Sequence, residues 1–238
     1  MRDLGLIAFL FALLALGLRR PFLFVLAYAY VDIVSPQRLS YYLLNSLPVS
    51  LICFVLALGG WLIVDVRRGL RIAPRQWIMI ALLAWVFFTT SNADFPLEAA
   101  GKWDWVWKAL VFAIFLPLTL RTKLRIEALI LYMVLSASSI IITGGIKTVL
   151  SGGGYGALNL MIDSNTGLYE GSTISAVAIA IIPGILWLAR YGTIFPPDWR
   201  VRSFATALIL ACLLIPIGTE ARTGLICIAA LGGLMLRA

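Results

Sequence analysis

Residues 126–143 read IEALILYMVLSASSIIIT, an apolar run that holds a single charge, Glu127. Arg121, Lys123 and Arg125 precede this run, and a glycine-rich stretch follows it. An apolar run of this length with cations gathered at one end is typical of a helix that crosses a lipid bilayer. The same pattern recurs along the chain, and it decides the fold class.

The overall composition agrees with a membrane protein. Of the 238 residues, 62% are hydrophobic and 13% are charged, and the mean hydropathy is +1.00. A soluble domain has roughly 45–50% apolar and about 25% charged residues, so a globular core would not absorb this much apolar sequence. The net charge of +8 raises the question of nucleic acid. Because the cations are dispersed in short clusters between apolar runs, we predict no nucleic-acid partner.

Nine apolar stretches fill most of the chain and predict an all-α fold, a polytopic bundle of eight or nine transmembrane helices. The lower number applies if one of the first two stretches, which are the shortest, does not fully cross. The predicted single membrane domain, 1–238, contains a six-span region (1–143), a glycine-rich outer loop (144–171) and a final region (172–238). The stretches lie at 4–18, 21–34, 43–64, 77–91, 105–120, 126–143, 172–189, 203–218 and 223–236.

The gaps between these stretches alternate in charge. Most of the 19 Lys and Arg residues lie in the odd-numbered gaps, and most of the 11 Asp and Glu residues lie in the even-numbered gaps. The positive-inside rule assigns the basic gaps to the cytoplasm, with the N-terminus outside and the C-terminus inside. The predicted outer gaps are 35–42, 92–104, 144–171 and 219–222.

The outer gap at 144–171 is the longest. It contains Gly144-Gly145 and the run Ser151–Gly156, and it includes Asp163-Ser164-Asn165. A glycine-rich run disfavours a helix, which predicts a loop over the whole gap. Such a loop is either a functional element or a flexible tether.

Two charges flank the short turn between the last two stretches, Glu220 and Arg222. Ionisable groups at this depth usually face a protein interior or a polar cavity. One interpretation is a mutual ion pair that caps the turn. The other is that Arg222 binds an anionic headgroup, because a guanidinium offers a fork of donors that matches phosphate oxygens.

Three further outer cations, Arg38, Lys102 and Lys108, are candidates to join Arg222 around a pyrophosphate. The alternative is that they anchor helix ends at the membrane surface. Lys108 lies four residues after Asp104, so these two side chains would pair if the helix begins before Trp103.

The sequence offers no support for metal or nucleotide chemistry. It contains no histidine, and Cys53, Cys212 and Cys227 each lie within an apolar run, where they are expected to pack as small hydrophobes. No nucleotide or metal motif occurs in a supporting context. We therefore predict no cofactor and no metal site, and we assign no catalytic residue.

Several motifs in their order along the chain resemble the N-terminal part of the O-antigen ligase and polymerase superfamily, and especially the O-glycosylation ligases associated with the exosortase A system. The motifs are Met1-Arg2-Asp3, Leu18-Arg19-Arg20-Pro21, Ser35-Pro36-Gln37-Arg38, Gly152-Gly153-Gly154-Tyr155, Asp163-Ser164-Asn165 and Ala221-Arg222-Thr223-Gly224. The resemblance implies a multi-pass enzyme of the bacterial inner membrane. Such an enzyme transfers a glycan from a polyprenyl-diphosphate carrier to a glycan, lipid or protein acceptor at the periplasmic face.

The resemblance also implies roles for single residues. Arg222 matches an arginine that binds the donor diphosphate, whereas Asp163 and Asn165 match a motif without an assigned role. The chain departs from the family at Gln37, where relatives often have histidine, and at Ser164, which interrupts an Asp-Asn-Asn pattern. Family members continue with a large periplasmic loop that carries a histidine and with further helices, so we expect this sequence to be an incomplete ligase.

Two other functional classes stay open. A transporter or flippase-like carrier would contain helices broken near the bilayer midplane and an inverted repeat. Pro48, Pro117 and Pro183 interrupt apolar stretches, but no repeat is visible in the sequence. A non-catalytic membrane scaffold is the third class, and the lack of histidine favours it.

Overall fold

The computed structural model describes residues 2–36, 47–64, 72–150, 170–196 and 198–236. Within these ranges the regular secondary structure is helical and no strand occurs, which confirms the all-α prediction. The helices are α1 (Arg2–Arg19), α2 (Phe22–Val34), α3 (Val49–Val64), α4 (Pro74–Ser91), α5 (Pro96–Thr119), α6 (Lys123–Leu150), α7 (Gly171–Ala180), α8 (Ile182–Tyr191), α9 (Trp199–Thr219) and α10 (Arg222–Met235).

Three helical segments are long and apolar enough to cross a membrane: Lys123–Leu150, Gly171–Tyr191 and Trp199–Thr219. Four shorter helices are also apolar, at Leu4–Arg19, Phe22–Val34, Val49–Ile63 and Arg222–Met235. Many large apolar side chains on these helices are exposed, for example Phe11 and Ile63. A helix surface of this kind suits a lipid environment and indicates a membrane protein.

Helix α6 continues to Leu150, so the prediction that the loop begins at residue 144 is wrong. Gly144 and Gly145 lie inside the helix and are buried. A Cβ atom at Gly145 would lie 3.4 Å from the Cβ of Ala211 on α9, so the missing side chain lets the two helices approach closely. This packing offsets the helix penalty of about 1 kcal/mol for glycine. Residues 151–169 of the predicted loop lie outside the described ranges.

Two other boundaries also differ from the predicted ones. Helix α5 begins at Pro96 rather than near residue 105. The predicted stretch 172–189 forms two helices, α7 and α8, that meet at Ile181. Pro183 lies in the first turn of α8, where its lack of an N–H group interrupts the helical hydrogen bonding.

The chain divides into two compact units. Unit 1 contains residues 1–9, 29–49 and 126–238, and unit 2 contains residues 10–28 and 50–125. The core of unit 1 lies where α6, α7, α8 and α9 meet, and Ile141, Ile174 and Ile215 are fully buried there. In unit 2, α4 and α5 pack side by side, and Phe24, Val25, Ala57 and Phe115 form a core cluster.

Unit 1 has two chemically different ends. At one end, which we call the hydroxyl end, the close of α6, the start of α7, the close of α9 and the start of α10 come together. Gly171 packs beside Thr219, Gly218 beside Thr148, and Gly224 beside Ser175. The end of α6 and the turn at 219–222 therefore lie at the same end of unit 1.

The opposite end of unit 1, which we call the basic end, carries Arg190, Arg200 and Arg202. Here the buried carboxylate of Glu127, near the start of α6, accepts hydrogen bonds from the Thr193 backbone N–H (3.0 Å) and hydroxyl (2.6 Å). This contact joins the first turns of α6 to the connection between α8 and α9.

Candidate functional site

The turn from α9 to α10 is tight. Glu220 ends α9 in the left-handed region, with φ of 51° and ψ of 24°, and Arg222 is already the first residue of α10. A residue with a side chain rarely adopts this backbone conformation, which costs roughly 1–2 kcal/mol. Surrounding packing must therefore hold the turn, and such strain is frequent at functional sites.

The packing that holds the turn depends on Gly224. A Cβ atom there would lie 2.7 Å from the Cβ of Pro216 and 3.1 Å from the Cβ of Ser175. The first distance is too short for a real side chain and the second is unusually tight, so glycine is what lets α10 touch α9 and α7 at this point. The glycine of the Ala221-Arg222-Thr223-Gly224 motif thus has a packing role. It positions the start of α10, and with it Arg222, against α9 and α7.

Beneath the turn lies a pair of buried hydroxyl groups. The Ser175 and Thr219 hydroxyl oxygens are 2.5 Å apart, and the Thr219 hydroxyl also bonds the Ile215 carbonyl oxygen at 2.9 Å. Because a hydroxyl has one proton to donate, Thr219 donates to Ile215 and Ser175 donates to Thr219. Both groups are buried and satisfied, so they stabilise the helix contact and are poorly placed for chemistry on a substrate.

The rim above these hydroxyls is polar, and its residues from the start of α7 are half-buried. The Glu170 carboxylate, which precedes α7, accepts from the Ser172 hydroxyl (2.7 Å) and the Thr173 hydroxyl (3.1 Å). The Thr223 hydroxyl donates to the Ser172 carbonyl oxygen at 3.4 Å. These bonds bring the first turn of α10 beside the first turn of α7.

Arg222 is exposed on this rim. Among the residues described, it forms no ion pair with Glu220, so the interpretation of a mutual pair that caps the turn is not realised. The amino-terminal end of a helix carries a partial positive charge and favours anions. Two such ends and one guanidinium lie close together here, and they are opposed by the negative charges of Glu170, directly before α7, and Glu220, in the turn before α10. The arrangement can bind an anion that offers several oxygens, such as a phosphate.

Two of the other predicted cations belong to unit 2. Lys102 and Lys108 are on α5 in unit 2, where Lys108 forms an ion pair with Asp104 at 3.2 Å. This pair follows from the early start of α5 and confirms the predicted condition for it. Lys102 is exposed and lies on a different face of the helix, since six residues correspond to about 600° of rotation. Arg38, Asp163 and Asn165 lie outside the described residues.

The sequence interpretation missed Glu170, Ser172, Thr173 and Ser175. Their signal is the run Glu170-Gly171-Ser172-Thr173 directly before an apolar stretch, which resembles a helix start. The predicted boundary between the long loop and the next apolar stretch falls within this run, after Gly171. What the sequence alone does not reveal is that the same run packs against the turn that carries Arg222.

Comparisons with known proteins give one match. A family model described as a family of unknown function, DUF5935, matches residues 1–193. The match therefore includes the start of α7 with its rim residues and stops before α9 and α10. No curated protein matches the chain, and no solved structure matches it.

Proposed function

The chain belongs to the DUF5935 family, and we propose that it contributes the donor-binding membrane part of a glycan ligase of the O-antigen type. In this proposal the ligase transfers a glycan from a polyprenyl-diphosphate carrier to a glycan, lipid or protein acceptor. The observation that carries the proposal is the position of Arg222, exposed at the start of α10 and beside the start of α7. The resemblance of the chain's motifs to this superfamily supports the same function.

The proposed topology is that of a multi-pass protein of the bacterial inner membrane with eight or nine spans. The hydroxyl end of unit 1 faces the periplasm and the basic end faces the cytoplasm, in keeping with the positive-inside rule. A cysteine-free background with Asp94→Cys or Tyr191→Cys tests this topology. A membrane-impermeant maleimide added to intact spheroplasts should label the cysteine at 94 and leave that at 191 unlabelled.

The chemistry assigns Arg222 to the diphosphate of the donor. During transfer the acceptor oxygen bonds the sugar carbon while the bond from that carbon to the diphosphate oxygen breaks. Negative charge then accumulates on the departing diphosphate. A fixed guanidinium and helix dipoles aimed at these oxygens stabilise that charge and need no nucleotide or metal. The group that takes the acceptor proton is unassigned.

Donor binding tests this role. The full chain in lipid nanodiscs is titrated with a short-chain polyprenyl diphosphate and, separately, with the corresponding neutral polyprenol. Arg222→Gln should weaken binding of the diphosphate by about tenfold or more, since charge-assisted hydrogen bonds contribute roughly 1.5–3 kcal/mol. Arg75→Gln is the matched control, because Arg75 is also an exposed arginine in the first turn of a helix. Equal affinity of wild type and Arg222→Gln would remove the assigned role.

A carrier that moves an amphiphilic substrate is the second candidate. The observation that favours it is the break between α7 and α8 at Ile181, because broken helices often line substrate paths in transporters. Reconstituted liposomes distinguish the two functions. Translocation of a fluorescent polyprenyl-linked donor by the chain, without any transfer to an acceptor, would favour the carrier.

A further inference from the structure

A cleft of about 580 Å³ opens between one face of α8 and one face of α9, at the basic end of unit 1. On α8 the lining residues include Leu186, Arg190 and Tyr191, and on α9 they include Arg202, Thr206 and Ile209. On α9 the spacings of four, three and seven residues place the lining residues on a single helix face, whereas on α8 they belong to the last turns of the helix. The cleft is separate from the hydroxyl end, where Arg222 lies.

Of the two arginines at the mouth of this cleft, Arg190 lies in the last turn of α8, where a cation complements the helix dipole. Arg202 lies in the first turn of α9, where a cation opposes the helix dipole rather than complementing it. Asp198 already caps this helix by accepting from the Trp199 N–H at 2.7 Å. Within the described ranges neither Arg190 nor Arg202 forms an ion pair, and the Arg190 guanidinium lies 5.5 Å from the ring of Tyr191. Two guanidinium groups thus face one opening with their donors available.

Below the arginines the cleft is apolar. Pro183 on α8 and Ile209 on α9 line its floor, and each lies seven residues from the arginine on its own helix. At 1.5 Å per residue, the trough runs roughly 10 Å along the helices. Trp187 also lines the cleft, as expected for an aromatic side chain near a membrane interface. A cationic mouth above an apolar trough matches an amphiphile with an anionic head and a hydrocarbon chain.

We propose that this cleft binds an anionic phospholipid, with the lipid phosphate between Arg190 and Arg202 and one acyl chain along the trough. Charge complementarity selects this occupant, because anionic lipids of the surrounding leaflet are attracted to basic clusters at the membrane surface. The inference rests on the placement of the chain in a membrane and is independent of glycan transfer. It assigns the basic end of unit 1 a binding site of its own.

Lipid retention tests the proposal. The full chain is reconstituted with equal amounts of phosphatidylglycerol and phosphatidylcholine, re-extracted in mild detergent and examined by native mass spectrometry. The wild type should retain one phosphatidylglycerol in preference to phosphatidylcholine. Arg190→Gln with Arg202→Gln should reduce this retention by roughly tenfold or more, given about 1 kcal/mol for each cation near an anionic surface. Arg19→Gln with Arg75→Gln removes the same charge outside the cleft and should retain the lipid.

A second variant separates the cleft from general attraction to the membrane surface. Leu186→Trp fills the trough and leaves both arginines in place, so it should also lose the phosphatidylglycerol. Circular dichroism and size-exclusion chromatography check that each variant is folded.

Equal retention of the two lipids by the wild type, equal loss in the Arg19/Arg75 control, or retention by Leu186→Trp would overturn the proposal. The proposal would also be overturned if the wild type forms a dimer that carries no bound lipid and this dimer dissociates in the Arg190/Arg202 variant. In that case a second copy of the chain would occupy the cleft. None of these outcomes bears on donor binding by Arg222.

Discussion

The Ser175 hydroxyl lies 2.5 Å from the Thr219 hydroxyl in the core of unit 1, and this contact joins the first turns of α7 to the last turn of α9. Both residues are buried, at 0% and 6% exposure. The turn that carries Arg222 begins directly after Thr219. The hydroxyl pair therefore holds the end of α9, where that turn starts, against α7. The pair links close helix packing to the position of the candidate anion site.

Loss of this hydroxyl contact should destabilise the chain modestly. Ser175→Ala removes the donor to Thr219, and we expect a loss of about 0.6–1.5 kcal/mol in the free energy of unfolding. Unfolding in mixed micelles measures the effect, and a double-mutant cycle with Thr219→Val isolates the coupling between the two residues. Thr143→Val is the control, because that exposed hydroxyl bonds the carbonyl of Ser139 on its own helix. A coupling energy of zero would contradict the contact.

Gly224→Ala should be much more damaging than a glycine replacement elsewhere on α10. The added methyl group would collide with Pro216 and Ser175, and overpacking of this kind typically costs 1–3 kcal/mol. Gly232→Ala on the same helix meets no atom within 4 Å and should be neutral or slightly stabilising. Midpoints of thermal unfolding for the two variants compare them directly. Equal midpoints would contradict the close approach of α10 to α7 and α9.

The Lys108 and Asp104 pair should matter little for either stability or donor binding. The Asp104 side chain is 74% exposed and the Lys108 side chain 17% exposed, and a helix pair of this spacing contributes about 0.3–0.5 kcal/mol. Lys108→Gln should therefore leave diphosphate affinity almost unchanged, in contrast to Arg222→Gln. The nanodisc titration measures both variants side by side. A loss with Lys108→Gln as large as that with Arg222→Gln would return Lys108 to the donor site.

Glu127 should be important for the basic end of unit 1. Its buried carboxylate accepts two hydrogen bonds from Thr193, and bonds to a charged group contribute roughly 1.5–3 kcal/mol. Glu127→Ala should lower the free energy of unfolding by an amount in this range and loosen residues 192–196, whereas Glu127→Gln keeps an oxygen acceptor and should be milder. Limited proteolysis of this connection checks the local effect. The exposed Glu98→Ala serves as the control, and equal protease resistance of Glu127→Ala and Glu98→Ala would refute the anchor.

The helical fold could be predicted from the sequence because each apolar stretch is a local signal. The ends of the helices were less predictable, as Gly144 and Gly145 illustrate. Glycine disfavours a helix in isolation, but at this place its small size allows α6 to pack against α9, and that neighbour is distant in sequence. Close packing between the two helices therefore outweighs the low helix propensity of glycine at these positions.

The local features of the candidate site could be predicted from the sequence, whereas its contacts between distant residues could not. Arg222 stands out because it is a charge in a short turn between apolar runs. The rim residue Ser172 is identified by its contact with Thr223 on α10, about fifty residues later in the chain, and Glu170 is identified by its hydrogen bond from Ser172. No periodicity or motif in the sequence encodes that contact. The ion pair of Lys108 with Asp104 was foreseeable because its partners are four residues apart on one helix.

The most direct test of the central claim is the distance between Arg222 and the donor diphosphate. Solid-state NMR of chain labelled with carbon-13 at the arginine Cζ, in lipid and with bound polyprenyl diphosphate, measures carbon to phosphorus dipolar coupling. Arg222→Lys assigns the signal by removing it. Our account predicts one arginine Cζ within roughly 4–5 Å of the phosphorus atoms of the donor diphosphate, whose signals are distinct from that of the lipid phosphate, and predicts the loss of this contact in Arg222→Lys. Coupling to the diphosphate phosphorus that persists unchanged in Arg222→Lys, or no such coupling in saturated wild type, would contradict the account.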